Sequence, residues 1–206
     1  MLDFDGVLVD SNVIKDNAFK QVFAAYPEHL DEIMAYQRQT AAIRFEKFRY
    51  IYTSILKKTY STGIEQELAK RFSAYCIKEI IACPWIEGAL KFLRYWHGKV
   101  PMYLVSINPA EDLDQILRGR GIKELFKRVY TVTSDKSKAL REILKMEDTQ
   151  AADAVFIGDS LSDYDSAQRA GVPFVACRGN DSFAEEKCPV FSDMNEINNF
   201  LLQTRV

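Results

Sequence analysis

The first half of the chain is patterned for helices. Between about residue 12 and residue 98, apolar side chains recur at spacings of three and four, the period of an amphipathic α-helix. Two groups show this best: Val13, Ile14, Phe19, Val22 and Phe23, and then Phe45, Phe48, Tyr52, Ile55 and Leu56. Breaks at Pro27, at 61–63 and at Cys83-Pro84 divide the region. The pattern predicts four or five helices and no strand.

The second half of the chain alternates short apolar runs with amphipathic stretches. The apolar runs are 101–105, 128–132, 154–157 and 173–176, with a marginal fifth at 189–191. The amphipathic stretches are 111–117, 137–145, 163–170 and 195–202. Short buried strands joined by crossover helices are typical of a parallel sheet that is covered on both faces. This half is therefore predicted to alternate strands with helices.

The N-terminal residues add one more short apolar run, which ends at Asp3. Together with the second half, it predicts an α/β fold: an open, doubly wound parallel sheet whose first strand is separated from the others by an all-helical insertion. We assign residues 1–11 and 99–206 to the α/β domain and residues 12–98 to the helical domain. A central strand needs about five residues, and only Met1 and Leu2 precede Asp3. We therefore expect the natural chain to begin upstream of Met1.

Charge and cysteine content narrow the classes of partner. The 206 residues include 27 basic and 29 acidic side chains, for a formal net charge of −2, which gives no overall attraction to nucleic acid or an anionic membrane. The four cysteines form no Cys-x-x-Cys pair and are expected to be reduced, which favours the cytoplasm. No apolar run approaches the roughly 20 residues that span a bilayer. We expect a cytoplasmic protein with a small-molecule partner, and the sequence leaves its oligomeric state open.

Acidic residues follow two of the predicted strands. Asp3 and Asp5 are two residues apart, so in an extended chain their side chains point the same way, and Gly6 then lets the backbone turn. A second cluster, Asp159 and Asp163, follows the third apolar run of the second half. Ligands of such sheets bind beyond the carboxyl ends of the strands. The two clusters therefore predict one metal site.

Two further strand ends carry polar groups. The run at 101–105 leads to Ser106, and the run at 128–132 leads to Lys136 and Lys138. Apolar positions of the following helix lie four, seven and eight residues after Lys136, so Lys136 is expected to face the sheet, whereas Lys138 is rotated by roughly 200°. The alternatives are structural: Ser106 could belong to a strand-to-helix turn, and Asp163 could be a helix N-cap.

In this order and at these intervals, the four segments resemble the motifs of the haloacid dehalogenase superfamily. The residues that carry the resemblance are 3–11, Ser106, a lysine at a helix start, and 158–163. The helical insertion resembles the cap of the subfamily that includes phosphoglycolate phosphatase and β-phosphoglucomutase. The resemblance implies a Rossmann-like catalytic core domain for residues 1–11 and 99–206, and a helical cap domain for residues 12–98.

The resemblance also implies a role for each motif. Asp3 would be the nucleophile that forms an aspartyl-phosphate, and Asp5 would protonate the leaving oxygen and then activate water. The phosphate would be held by Ser106, Ile107, Asn108 and Lys136. The ligands of Mg²⁺, a hard cation, would be Asp3, Asp159 and the backbone carbonyl of Asp5, with Asp163 behind them.

The implied function is a magnesium-dependent phosphatase of small phosphorylated metabolites. A phosphomutase of the same superfamily would also use both aspartates and is the first alternative. The second alternative is a binding or regulatory module that keeps the fold without turnover. Dehalogenases of the superfamily lack the second aspartate, so the presence of Asp5 favours phosphoryl chemistry.

Overall fold

The chain folds into two compact units. The structure, a computed structural model, describes residues 1–40, 42–132, 135–177, 183 and 188–204, apart from the Asn12 side chain. The first unit is formed by Met1–Asp10 and Cys83–Val206, and the second by Ser11–Ala82. Among the described residues, no helix combines the length and the apolar character needed to cross a membrane.

The second unit contains helices and no strand among its described residues. Its helices are α1 (Asn12–Val22), α2 (Leu30–Gln39), α3 (Arg44–Tyr50) and α4 (Thr62–Ala82), and α3 continues into a π-helical turn, Ile51–Ile55. Aromatic rings form its core: the Phe19 ring centroid lies 5.6 Å from that of Phe48 and 5.2 Å from that of Phe72. Phe19 and Phe48 are among the apolar positions from which helices were predicted.

The first unit is built on a parallel sheet. Its strands are β1 (Tyr103–Ser106), β2 (Arg128–Thr131), β3 (Phe156–Gly158), β4 (Phe174–Cys177) and β5 (Val190–Phe191). β1 pairs with β2, and β4 pairs with both β3 and β5. Every residue of β1, β3 and β4 is buried. Burial on both faces explains why these strands are continuous apolar runs in the sequence.

The N-terminal segment joins the two parts of this sheet. Leu2 bridges in parallel to Leu104 of β1 and to Ile157 of β3. The Leu2 N–H donates to the Tyr103 carbonyl at 2.8 Å, and the Asp3 N–H donates to the Ile157 carbonyl at 2.9 Å. The order across the sheet is therefore β2, β1, the N-terminal segment, β3, β4 and β5. Asp3 thus leaves the sheet from its middle.

Helices cover both faces of the sheet. They are α5 (Ala89–Trp96), α6 (Ala110–Gly119), α7 (Ser137–Glu147), α8 (Leu161–Ala170) and α9 (Met194–Thr204). Leu140 of α7 and Ala167 of α8 share a buried cluster with Phe156. The neighbouring strand residue, Ile157, points to the other face and is also buried. The predicted α/β class, a doubly wound parallel sheet with an inserted all-helical unit, is confirmed.

The boundary between the two units does not fall at residue 98. The helical unit ends at Ala82, and α5 belongs to the first unit. Within the first unit, Trp96 of α5 donates from Nε1 to Asn198 Oδ1 of α9 at 3.0 Å. Amphipathic periodicity shows that α5 has an apolar face but does not show which core covers that face. This is why the sequence grouped α5 with the preceding helices.

Candidate active site

The first candidate residues lie where the N-terminal segment leaves the sheet. Asp3 and Asp5 are buried, with 6% and 8% of their surfaces exposed. The chain then turns back, and the Gly6 N–H donates to the Val9 carbonyl at 2.8 Å. Gly6 has a φ of +71°, a left-handed conformation that glycine adopts without the steric penalty of a Cβ atom. The turn expected after Asp5 is therefore present.

Asp159 lies directly against the Gly6 backbone. A Cβ atom at position 6 would be 1.8 Å from Asp159 Oδ2, far inside van der Waals contact. At position 158, a Cβ atom would be 2.5 Å from the Cβ atom of Asp163. The two glycines therefore leave the space that these two carboxylate side chains fill. In this way, the N-terminal turn and the end of β3 meet in one cluster.

Two hydrogen bonds between Ser160 and Asp163 cap the start of α8. Ser160 has an extended backbone, and its Oγ accepts the Asp163 N–H at 3.2 Å. The Ser160 hydroxyl in turn donates to Asp163 Oδ2 at 2.8 Å. The N-cap is therefore Ser160, and the alternative that Asp163 is the N-cap is wrong. Asp163 lies three residues after the N-cap, at the position whose side chain hydrogen-bonds back to the cap residue in a capping box.

Lys136 is the cation of this acidic cluster. Its Nζ lies 2.7 Å from Asp3 Oδ1 and 2.7 Å from Asp163 Oδ1, and the side chain is buried. Burial opposes the charge on the amine, but the two carboxylates raise the pKa of Lys136 above the ordinary lysine value. Lys138 is exposed. The structure therefore brings Lys136, and not Lys138, to the carboxylates.

Two carboxyl groups of the cluster, those of Asp3 and Asp159, have raised pKa values. Burial is the largest cause that raises the pKa of Asp3 to about 7; Lys136 opposes this shift, while Asp163 and Asp5 reinforce it. Burial also raises the pKa of Asp159 to about 8, with Asp3 as the next cause. A bound cation would stabilise the ionised forms of both groups.

Three of these carboxylates are spaced to hold a metal ion. Asp3, Asp159 and Asp163 each offer one oxygen atom, and these atoms lie within 4.8 Å of one another. A set of carboxylate oxygens suits a hard cation such as Mg²⁺. The family resemblance implied Asp3, Asp159 and the Asp5 backbone carbonyl as ligands, with Asp163 behind them, whereas the clustered carboxylates include Asp163. The residues present thus fit the implied metal.

The end of β1 contributes Ser106, Ile107 and Asn108. Ser106 is fully buried, and its Oγ accepts the Asn108 N–H at 3.1 Å. The side chain of Asn108 donates to Asp5 Oδ2 at 2.7 Å. Ile107 is half exposed. The structure therefore brings Ser106 and Asn108 to the acidic cluster through polar contacts, and Asn108 contacts Asp5, a pairing that the sequence did not reveal.

Sequence reasoning also missed a polar network beside Lys136. Asp135 Oδ1 accepts the Ser137 N–H at 2.8 Å, and Oδ2 accepts the Ser137 hydroxyl at 3.0 Å. Arg169 of α8 donates to Asp135 Oδ1 at 3.2 Å. These bonds, led by the one from the Ser137 backbone, lower the pKa of Asp135 to about 2. An aspartate just before a helix is a capping signal that could have been found in the sequence.

The sequence comparison assigns the chain to a family. Residues 1–177 match the profile of the haloacid dehalogenase-like hydrolases, and the chain belongs to this family. The predicted resemblance is therefore confirmed, as is the prediction that the protein is an enzyme.

Individual relatives carry the comparison further. Over 181 residues, the chain is 26% identical to a phosphoglycolate phosphatase, a phosphoric monoester hydrolase, of Synechococcus elongatus; the match covers 85% of this chain and 81% of that protein. A structure of a predicted phosphoglycolate phosphatase from Haemophilus somnus is similar, with a TM-score of 0.79, 16% identity, and coverage of 97% of this chain and 95% of that one. A haloacid dehalogenase superfamily hydrolase of subfamily IA from Geobacter sulfurreducens has a TM-score of 0.70, 21% identity, and coverage of 97% and 94%. At these identities, the two structures are evidence of a shared fold.

Proposed function

We propose that the protein is a magnesium-dependent phosphatase of small phosphorylated metabolites that acts through an aspartyl-phosphate on Asp3. The observation that carries this proposal is the buried contact of Asp3 with Lys136 at 2.7 Å, next to the carboxyl groups of Asp5 and Asp159. An attacking carboxylate, a second carboxyl group for proton transfer and a fixed cation are what the hydrolysis of a phosphate monoester requires. The phosphoglycolate phosphatase of Synechococcus elongatus, 26% identical to this chain, supports the same class of reaction.

Asp3 and Asp5 divide the chemical work between them. In the first step, an Asp3 carboxylate oxygen attacks phosphorus, the bond from phosphorus to the ester oxygen breaks, and Asp5 gives that oxygen a proton. In the second step, Asp5 takes a proton from water, and the water oxygen displaces Asp3 from phosphorus. Inorganic phosphate and the free carboxylate are the products. Asn108 donates to Asp5 Oδ2, which holds the Asp5 side chain in one orientation.

Ser106 and Lys136 hold the phosphoryl group in this proposal. The Ser106 Oγ accepts the Asn108 N–H, so its own proton can be donated to a phosphoryl oxygen. The Lys136 ammonium offsets the charge on Asp3 and on the phosphoryl oxygens. Asp163 engages both of its carboxylate oxygens, one with Lys136 and one with Ser160. We therefore keep Asp163 as a support for Lys136 behind the metal ligands.

Asp3 and Asp159 would hold Mg²⁺ together with the backbone carbonyl of Asp5. When bound there, the ion supplies positive charge that offsets the negative charge of the phosphoryl oxygens. The oxygen donors and the raised pKa values of Asp3 and Asp159 support this part of the proposal.

The proposal is tested by an assay for phosphate release from an aryl phosphate, with Mg²⁺ and with a chelator. We expect turnover that requires Mg²⁺, followed by a preferred substrate in a panel of phosphoglycolate, sugar phosphates and nucleotides. Asp3→Asn protein purified in parallel excludes a contaminating phosphatase. Isomerisation of a sugar phosphate without phosphate release would favour the mutase. Absence of both reactions across the panel would favour a binding module.

The metal is also expected to change how stability depends on pH. The pKa values of Asp3 and Asp159 are raised from 3.8 to about 7 and about 8. Between pH 3.8 and these raised values, the metal-free folded state therefore holds more protons than the unfolded state. The free energy of unfolding therefore falls as the pH rises through this window. Mg²⁺ binds the ionised groups, so its increase in melting temperature should be larger at about pH 8.5 than at about pH 5.5.

Scanning calorimetry at both pH values, with Mg²⁺ and with a chelator, measures this difference. Asp159→Asn is the control variant, since it removes both a metal ligand and an ionisable group whose pKa is raised. An equal effect of Mg²⁺ at both pH values in the unmodified protein would contradict binding at these carboxylates.

A further inference from the structure

The position of the Lys136 ammonium group depends on how α7 begins. Lys136 immediately precedes Ser137, the first residue of α7. Its Nζ nevertheless lies 2.7 Å from both Asp3 and Asp163. A lysine side chain has four rotatable carbon–carbon bonds and is costly to order. The ammonium can be held between two carboxylates only if the backbone at Lys136 is itself fixed.

Asp135 provides that restraint from the other side of Lys136. Its two carboxylate oxygens accept the Ser137 N–H at 2.8 Å and the Ser137 hydroxyl at 3.0 Å. The first N–H groups of a helix have no partner within the helix, and an aspartate side chain is among the acceptors that most often satisfy them. The two hydrogen bonds that Asp135 accepts from Ser137 span Lys136 and restrict its backbone.

A second set of contacts ties this turn to α8, the helix that carries Asp163. Arg169 Nη2 donates to Asp135 Oδ1 at 3.2 Å. Arg141 of α7 donates to Ser137 Oγ at 3.2 Å and to the Arg169 carbonyl at 2.7 Å. The side chains of Arg169 and Asp135 are 53% and 41% exposed, so solvent screens this ion pair. The hydrogen bonds to Ser137 are therefore the stronger restraint.

We propose that Asp135 is a positioning residue for Lys136: by capping the first turn of α7 through Ser137, it holds the Lys136 ammonium group between Asp3 and Asp163. The proposal rests on the proposed function insofar as Lys136 is the phosphate-holding cation. Asp135 acts through Lys136 and needs no contact with substrate. The link through Arg169 secures α7 against α8 but is secondary.

Three substitutions at one position separate the cap from the ion pair. Asp135→Ala removes both. Asp135→Asn keeps an acceptor for the Ser137 N–H without the charge, and its amide nitrogen can donate to Ser137 Oγ. Asp135→Glu keeps the charge on a longer side chain, which is not among the preferred helix caps. We expect Asp135→Ala and Asp135→Glu to lower kcat/KM about ten-fold or more, because small displacements of a positioned group are costly. Asp135→Asn should stay within about two-fold of the unmodified protein, since asparagine caps helices as well as aspartate does. If Asp135→Ala does not fold, Asp135→Glu gives the same comparison.

The chain offers a matched control at α9. Asp193 Oδ1 accepts the Asn195 N–H at 2.7 Å and the Glu196 N–H at 3.0 Å, so it caps α9 through two backbone groups, whereas Asp135 caps α7 through one backbone N–H and one hydroxyl. Asp193→Ala should lower the melting temperature by an amount similar to Asp135→Ala. It should leave kcat/KM and the inhibition constant of orthovanadate, an analogue of the transferred phosphoryl group, unchanged. Asp135→Ala should raise the inhibition constant by about the factor by which it lowers kcat/KM.

A readout without turnover separates this proposal from the proposed function. A buried, hydrogen-bonded ammonium group exchanges its protons slowly, and its ¹H–¹⁵N signal can be assigned to Lys136 by its loss in Lys136→Met. The signal should broaden or shift in Asp135→Ala and persist in Asp135→Asn and Asp193→Ala. An unchanged signal in Asp135→Ala would overturn the proposal. So would equal kinetic effects of Asp135→Ala and Asp193→Ala. A changed signal in a protein without phosphatase activity would overturn the proposed function and leave the positioning role intact.

Discussion

Replacing Asp3 with asparagine is expected to lower kcat by about three orders of magnitude or more and to leave the melting temperature nearly unchanged. The substitution is almost isosteric but removes the carboxylate that forms the covalent intermediate. The fold should survive, because Lys136 keeps its second partner, Asp163, at 2.7 Å. Loss of one buried carboxyl group also relieves the mutual repulsion that contributes to the raised pKa of Asp159.

Rapid acid quenching during turnover measures the intermediate directly. The unmodified protein should carry one phosphoryl group on the peptide that contains Asp3, and Asp3→Asn should carry none. Asp165→Asn is the matched control, since Asp165 is an exposed aspartate of α8 outside the cluster. If Asp3→Asn retained a tenth of the activity, or if the phosphoryl group were found on another residue, the assignment of Asp3 would be wrong.

Much of the fold could be predicted from the sequence because short apolar runs and amphipathic stretches alternate along its second half. The five short apolar runs of the second half became β1 to β5, and the four amphipathic stretches became α6 to α9, with ends that differ by a few residues. For β1, β3 and β4 the signal is local, since burial on both faces requires apolar residues along the strand. The pairing of Leu2 with Leu104 and Ile157 is not local. Residues 1–3 are too few to form a pattern that would place them at the centre of a sheet.

Part of the candidate site could also be predicted from the sequence. Strand ends share an edge in a parallel sheet, so the chain positions of Asp3, Asp159 and Lys136 suffice to group them. Helix rotation also separated Lys136 from Lys138. The side-chain partners could not be predicted. Whether two side chains form a hydrogen bond depends on differences of a few tenths of an ångström in the distance between residues that are far apart in the chain. The contact of Asn108 with Asp5, across 103 residues, is an example.

Substituting methionine for Lys136 is expected to abolish turnover and also to destabilise the fold. Methionine fills a similar volume without the charge, so Asp3 and Asp163 lose the cation that lies 2.7 Å from each of them. Removing one partner of a buried ion pair typically costs about 3 to 5 kcal/mol. Lys136 opposes the burial that raises the pKa of Asp3, so this pKa should rise further in the variant.

The loss of stability in Lys136→Met should therefore depend on pH. At low pH, Asp3 is protonated in both proteins and has less need of a cation, whereas at high pH the variant must either keep a proton or bury a charge. The difference in free energy of unfolding should grow as the pH rises through about 7, the pKa of Asp3. Urea unfolding in a chelator at several pH values measures it, and Lys138→Met, at an exposed position, should stay within about 0.5 kcal/mol of the unmodified protein. Full activity in Lys136→Met, or a greater loss in Lys138→Met, would show that the motif lysine had been assigned to the wrong residue.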